Sequence, residues 1–185
     1  SKPLSGPMRI GLIPTIAPYL LPKFLPKLQK KFSDIEFYIT EDMSANLINK
    51  LHKGKIDMAI MAFPYNTRGL NHVTFFEENF YCAAPKDTFK KGKKLELSEL
   101  KGHKLLLLED GHCLRDHALS ASKLKDIGDQ KKLSATSLQT LIQMVSHGYG
   151  LTLLPKMVLN QGFTLKGMSL HHFKQPAPTR IIGAA

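Results

Sequence analysis

Apolar and polar positions along the chain switch repeatedly between two rhythms. Met8–Pro14 (MRIGLIP) is an apolar run of strand length. Leu20, Leu21, Phe24, Leu25, Leu28 and Phe32 then fall at helical spacings and predict an amphipathic helix. Pro18, Pro22 and Pro26 recur every four residues, so they share one side of that helix, away from the apolar stripe. Each removes a backbone donor, which predicts a bent or late-starting helix. Glu36–Thr40 alternates as a second strand. Ser44 is expected to cap a helix running to about Lys53, with Gly54 as its stop. Asp57–Met61 reads as a third strand. Strand, helix, strand, helix, strand is the order of a parallel sheet with crossover helices.

The pattern then restarts. Val73–Phe76 and Phe80–Ala84 read as strands, Lys86–Lys94 as a charged loop and Lys104–Leu108 as a central strand. Leu114–Lys125 predicts a helix, with a short strand near Lys132. Thr136 and Gln139 have the spacing of a capping box that opens a helix to His147, ended by Gly148 and Gly150. Leu151–Leu154 is a further strand, followed by Pro155 and a short helix. Met168–Phe173 and Thr179–Gly183 are the last strands. The pattern predicts two α/β lobes. Residues 1–7 are a linker or trimmed end, 8–80 the first lobe, 81–178 the second, and 179–185 a crossover back toward the first.

Composition narrows the class. Of 185 residues 43% are hydrophobic and 22% charged, an ordinary globular balance. No apolar run approaches the ~18 residues of a membrane span. The start has no apolar signal core. Two cysteines, Cys82 and Cys113, are no disulfide framework and suit a reducing cytosol. The net charge of +11 invites an anionic partner. The chain has only four arginines, however, and its lysines are scattered, so solvated lysine faces are preferred to a nucleic-acid surface.

One segment concentrates chemistry: Leu106 to Asp116, LLLEDGHCLRD. A strand ends, a glycine turn follows, and Cys113 stands where a helix begins. A helix N-terminus stabilises a thiolate, and His112 and Arg115 add positive charge. The thiolate is the form that attacks peroxide. The competing reading is a buried cysteine acting as a small hydrophobe, and that is the preferred role for Cys82 in its apolar run. His112, Cys113 and His117 lack a fourth ligand and a zinc spacing, so no metal is expected. A Cys–His hydrolase requires an orienting group that the sequence does not place. Glu109 and Asp110 are more simply a polar strand exit than an acid–base pair. His171 and His172 read as surface residues.

Four segments carry a family resemblance: Glu109–Asp116 (EDGHCLRD), Gly11–Pro22, Ala135–Leu141 and Gly150–Pro155. Together they resemble the regulatory domain of the OxyR family, the peroxide-sensing LysR-type transcription regulators, over nearly the whole chain. The first segment is specific to the peroxide sensors; the others are shared more widely among LysR-type regulators. The resemblance implies two Rossmann-like lobes of the LysR effector-binding, periplasmic-binding-protein type II architecture. It implies Cys113 as the peroxidatic thiol, hydrogen peroxide as the sensed oxidant, and no cofactor. A peroxide pocket would use Thr15, Ser44, Gly111, His112 and Arg115. Thr15 taken alone reads as an ordinary helix cap. The family also implies a cytoplasmic dimer or tetramer, an N-terminal winged helix-turn-helix domain on DNA, and RNA polymerase as a partner. Nothing in this sequence resembles that DNA-binding domain.

Two departures stand out. Ser122 occupies the position nine residues beyond Cys113 where the family has its resolving cysteine. An engineered substitution that traps a reduced-like form is favoured over a natural one, because the neighbouring residues keep the family pattern. The chain also stops at Ala185, where the family continues with a strand, a loop and a final helix. If residues 113–122 are helical, their ends stand roughly 13 Å apart, against roughly 4.4–6.8 Å between the Cα atoms of a disulfide. Disulfide formation would therefore require that segment to unwind. A LysR-type domain for a small anionic metabolite is the alternative function. A thiol peroxidase and a periplasmic solute-binding protein rank below it, and no turnover enzyme is expected.

Overall fold

A computed structural model describes residues 4–109, 114, 116, 134–160, 164 and 166–185. The chain divides into two compact units, Ser1–Phe76 with Ile181–Ala185, and Glu77–Arg180.

In the first unit, β1 (Gly6–Leu12) pairs in parallel with β2 (Ile35–Glu41) on one side and β3 (Met58–Phe63) on the other. Residues 181–184 of the last strand pair antiparallel with β3, Phe63 opposite Ile181 and Ile60 opposite Ala184. Helix α1 (Ala17–Lys31) joins β1 to β2, and α2 (Ser44–His52) joins β2 to β3. β1 is thus the first strand in sequence and lies between the other two in space. Leu12, Ile16, Leu47 and Met61 are fully buried, each worth about 1.5–3 kcal/mol of transfer free energy. Gly11 sets the distance of α2 from the sheet: a Cβ there would lie 2.5 Å from Leu47 Cδ2 and 2.8 Å from Ile56 Cδ1.

Helix α1 departs from its predicted stripe. It starts promptly, with a proline in its first turn where no donor is lost, and it runs through Pro22 and Pro26, which are exposed. Only Ala17 and Tyr19 are buried. Phe24, placed on the stripe by its spacing, is 50% exposed. The first turn anchors the helix, and the remainder rests on the unit by half-buried leucines. Ser44 is not the cap of α2 but its first residue; the N-cap is Met43, whose side chain makes no cap bond.

In the second unit, a single strand β4 (Val73–Pro85) replaces the two predicted, since Glu77–Asn79 continue the extended run. It pairs antiparallel with β7 (Thr152–Pro155) and with β8 (Met168–His171). A 3₁₀ turn at Leu97–Leu100 precedes β5 (Leu107–Leu108), which pairs in parallel with β6 (Ser134–Ala135). Helix α3 (Leu138–Ser146) buries Leu138, Leu141, Ile142 and Val145. Its N-cap is Ser137, whose Oγ accepts from Thr140 N at 3.1 Å, so the expected box from Thr136 to Gln139 is displaced by one residue. Gly148, at φ +85°, ends the helix in the left-handed conformation that suits glycine. A short α4 (Lys156–Leu159) follows β7, and β9 (Thr179–Ala184) closes the order. The chain thus passes between units along β4 and again along β9.

Candidate functional site

The β1–β2 register places Leu12 opposite Glu41. Thr15 and Ser44 each stand three residues beyond these partners, so both hydroxyls belong to the carboxyl edge of the first unit's parallel sheet. That edge is where open α/β sheets receive ligands. Thr15 is 2% and Ser44 1% exposed, and neither lacks a polar partner. Thr15 is not a helix cap: α1 starts after Ile16, and no side chain caps it. Neither N-cap side chain, Ile16 or Met43, bonds the first turn of its helix; the Asp42 carboxylate lies against the start of α2 instead.

The loop that delivers Ser44 is held by Asp42, a residue the sequence reading passed over. Its carboxylate accepts from Met43 N at 2.8 Å, Asn46 Nδ2 at 2.8 Å and Lys50 Nζ at 2.7 Å. Burial pushes the Asp42 carboxyl upward, but these three donors outweigh it and hold the group below the usual carboxylate range. An acidic residue just after a strand and two positions before a helix was the available signal. Arg9 and Asp57 form a bidentate pair between β1 and the approach to β3, at 2.8 and 3.2 Å.

In the second unit, Leu107 and Leu108 are buried, and Glu109 N donates to Ala135 O at 3.1 Å. Leu114 is helical and 3% exposed. Gly111, His112, Cys113, Arg115 and Ser122 lie outside the described residues, as does most of the predicted 114–125 helix. The other thiol is plain. Cys82 is fully buried in β4, opposite Leu153 on one side and His171 on the other. Burial pushes its thiol up to about 12.

His171 corrects the expectation of a surface residue: it is 1% exposed. It ends β8 on the inward side, with Nδ1 3.1 Å from Lys93 O, Nε2 2.9 Å from Ser169 Oγ, and Phe89 edge-on to its ring. His172, one residue on, faces outward and is exposed, as expected. A second buried group had no sequence signal, because its members are 102 residues apart. Glu78 Oε1 accepts from Arg180 Nε at 2.7 Å, and Oε2 accepts from Met157 N of α4 at 2.8 Å. Among the described residues no group of three or more His, Cys, Asp or Glu is placed to hold a metal ion. Among them also, no helix is long and apolar enough to cross a membrane.

Two α/β units joined by two crossing strands, with buried hydroxyls at a parallel-strand edge, define the class: a bilobal α/β domain of the effector-binding kind. The family model described as the LysR substrate binding domain matches residues 1–185, and the chain belongs to that family. The HTH-type transcriptional regulator EstR of Acinetobacter baylyi is 39% identical over 160 residues, covering 86% of this chain and 53% of that protein. The hydrogen peroxide-inducible genes activator of Dickeya chrysanthemi is 38% identical over 180 residues, covering 97% of this chain and 59% of its own length. The chain therefore spans little more than half of these relatives. A hydrogen-peroxide-bound mutant of OxyR from Corynebacterium glutamicum superposes with a TM-score of 0.90 at 35% identity, covering 98% of this chain and 58% of that one.

Proposed function

We propose that this chain is the regulatory domain of a peroxide-responsive LysR-type transcription activator, with Cys113 as its sensing thiol. The observation that carries the reading is the match over 97% of this chain to a hydrogen peroxide-inducible genes activator, 59% of which it covers, in a chain whose Cys113 stands in EDGHCLRD. The Cys113 thiolate attacks one peroxide oxygen; the O–O bond breaks and hydroxide leaves, protonated by a nearby donor. The sulfur becomes a sulfenic acid, oxidised by two electrons, and the peroxide is reduced. Thr15, Ser44, Gly111, His112 and Arg115 would supply the polar groups that dock the oxidant.

Ser122 cannot resolve the sulfenic acid, and Cys82 is a poor substitute. It is fully buried and its thiol is protonated at neutral pH. The chain is therefore held in a reduced-like form or stops at the sulfenic acid until an outside thiol returns it. This is a sensor's single event rather than an enzyme's turnover. Self-association as a dimer or tetramer is supported by Phe24, Tyr38 and Ile39, which are 50%, 55% and 36% exposed on α1 and β2. DNA contact through a winged helix-turn-helix domain, RNA polymerase as partner and a cytoplasmic location belong to the same proposal for the full-length regulator.

The test is to titrate hydrogen peroxide against this chain and its Cys113→Ser variant, trapping sulfenic acid with a dimedone-type probe. Stoichiometric labelling at low peroxide, absent from the variant, is expected. Labelling no faster than that of an unstructured thiol would overturn the reading. The second reading, a domain for a small anionic metabolite, would then lead; the uncapped start of α1 beside Thr15 favours it.

A further inference from the structure

The second unit has a small polar cavity that the peroxide reading does not use. It encloses about 150 Å³ and is lined by Asn79, Tyr81, Lys94, His172, Lys174 and Gln175 around the rings of Phe80 and Phe173. Its floor is firm: Phe80 is 1% and Phe173 5% exposed. Its rim is fixed by backbone. Leu95 N donates to His172 O at 2.8 Å, and Lys174 N donates to Leu95 O at 2.8 Å. This bridge turns Leu95 and Phe173 inward, so the residues flanking them, Lys94, His172 and Lys174, are turned outward onto one rim.

The donors are poorly matched by acceptors. Lys174 Nζ gives one of its three hydrogens to Glu96 at 2.8 Å, which leaves two. Among the described residues Lys94 makes no ion pair. Gln175 Oε1 is taken by Ala177 N at 3.1 Å, which leaves its amide N–H groups to donate. The His172 ring is braced by Tyr81 at a centroid distance of 4.6 Å. Glu96 and Glu99 are the opposing charges: Glu96 pairs with Lys174, and Glu99, itself paired with Lys93, also acts on Lys174. The volume is below the roughly 300 Å³ at which drug-sized pockets begin.

We infer that this cavity is a binding site for a phosphate group, held between Lys94 and Lys174 with the amide of Gln175 and the ring of His172 as further donors. The ligand is free phosphate or the phosphate of a small monoester. The site stands independently of Cys113 and its oxidation.

The test is isotope-edited NMR of the whole chain, titrated with inorganic phosphate and, in a second arm, with glycerol phosphate at constant ionic strength. Saturable shifts at Asn79, His172, Lys174 and the Gln175 side-chain amide support the site, and the tighter of the two arms identifies the source. Lys94→Gln should weaken binding at least tenfold, whereas Lys27→Gln, on α1, should leave it unchanged. Non-saturating shifts spread over many lysines, or equal loss in the two variants, would overturn the inference.

Discussion

Glu78→Ala probes the buried ion pair that stands where the chain enters and leaves the second unit. The Arg180 side chain is 0% and the Glu78 side chain 5% exposed, so neither charge is screened by water. Removing Glu78 takes the carboxylate from the Nε of a buried guanidinium, which costs about 3–5 kcal/mol. It also orphans Met157 N, now paired at 2.8 Å, which adds about 1–3 kcal/mol. Allowing for relaxation, a loss of about 4–5 kcal/mol is expected, a large part of the roughly 5–15 kcal/mol typical of a domain. With a urea slope of about 2–3 kcal/mol/M, the unfolding midpoint should fall by about 1.3–2.5 M at constant slope. Adding Arg180→Met removes the buried positive charge, so the double variant should be more stable than Glu78→Ala alone. A midpoint shift below about 0.3 M, or a double variant equal to the sum of the two singles, would falsify the assignment of a structural ion pair.

Three further outcomes are expected. Gly11→Ala drives a methyl against Leu47 and Ile56, which are 0% and 4% exposed and have little room to turn away. It should cost about 1–3 kcal/mol, read as a lower thermal midpoint. Ser137→Ala removes the α3 cap and should cost about 1 kcal/mol in denaturant titration. The Cys82 thiol is raised from its ordinary 9.0 to about 12, so the folded state holds its proton where the unfolded chain releases it. Its contribution is complete below pH 9 and is lost as pH rises toward 12. The alkaline fall in stability should be shallower in Cys82→Ala, and an unchanged slope would remove Cys82 as the cause.

The parallel first unit was legible because its strands and helices differ in hydrophobic period, and because β1, α1, β2, α2 and β3 are contiguous in sequence. The errors cluster where a local rule met a tertiary one. Spacing put Phe24 on the α1 stripe, but only the first turn of that helix meets the core. The spacing of Thr136 and Gln139 suggested a box, but the backbone turns extended at Ser137, whose hydroxyl reaches the Thr140 amide first. His171 reads as a surface residue because it lies near a strand end, while its place on the inward side of β8 decides its burial. The Glu78–Arg180 pair and the Lys94–Lys174 rim were invisible, since each joins residues about 80 to 100 positions apart through strand pairing. At the candidate site, Thr15 and Ser44 are singled out by family resemblance alone; spacing makes both of them helix caps, and neither is one.

The seclusion of Cys82 has a practical side. With two cysteines in the chain and Cys82 sealed between neighbouring strands, the folded molecule withholds one of its two sulfurs from reagents. A thiol-reactive fluorophore, spin label or mass tag that couples without denaturant therefore carries no background from Cys82, and no mutagenesis is needed to silence it.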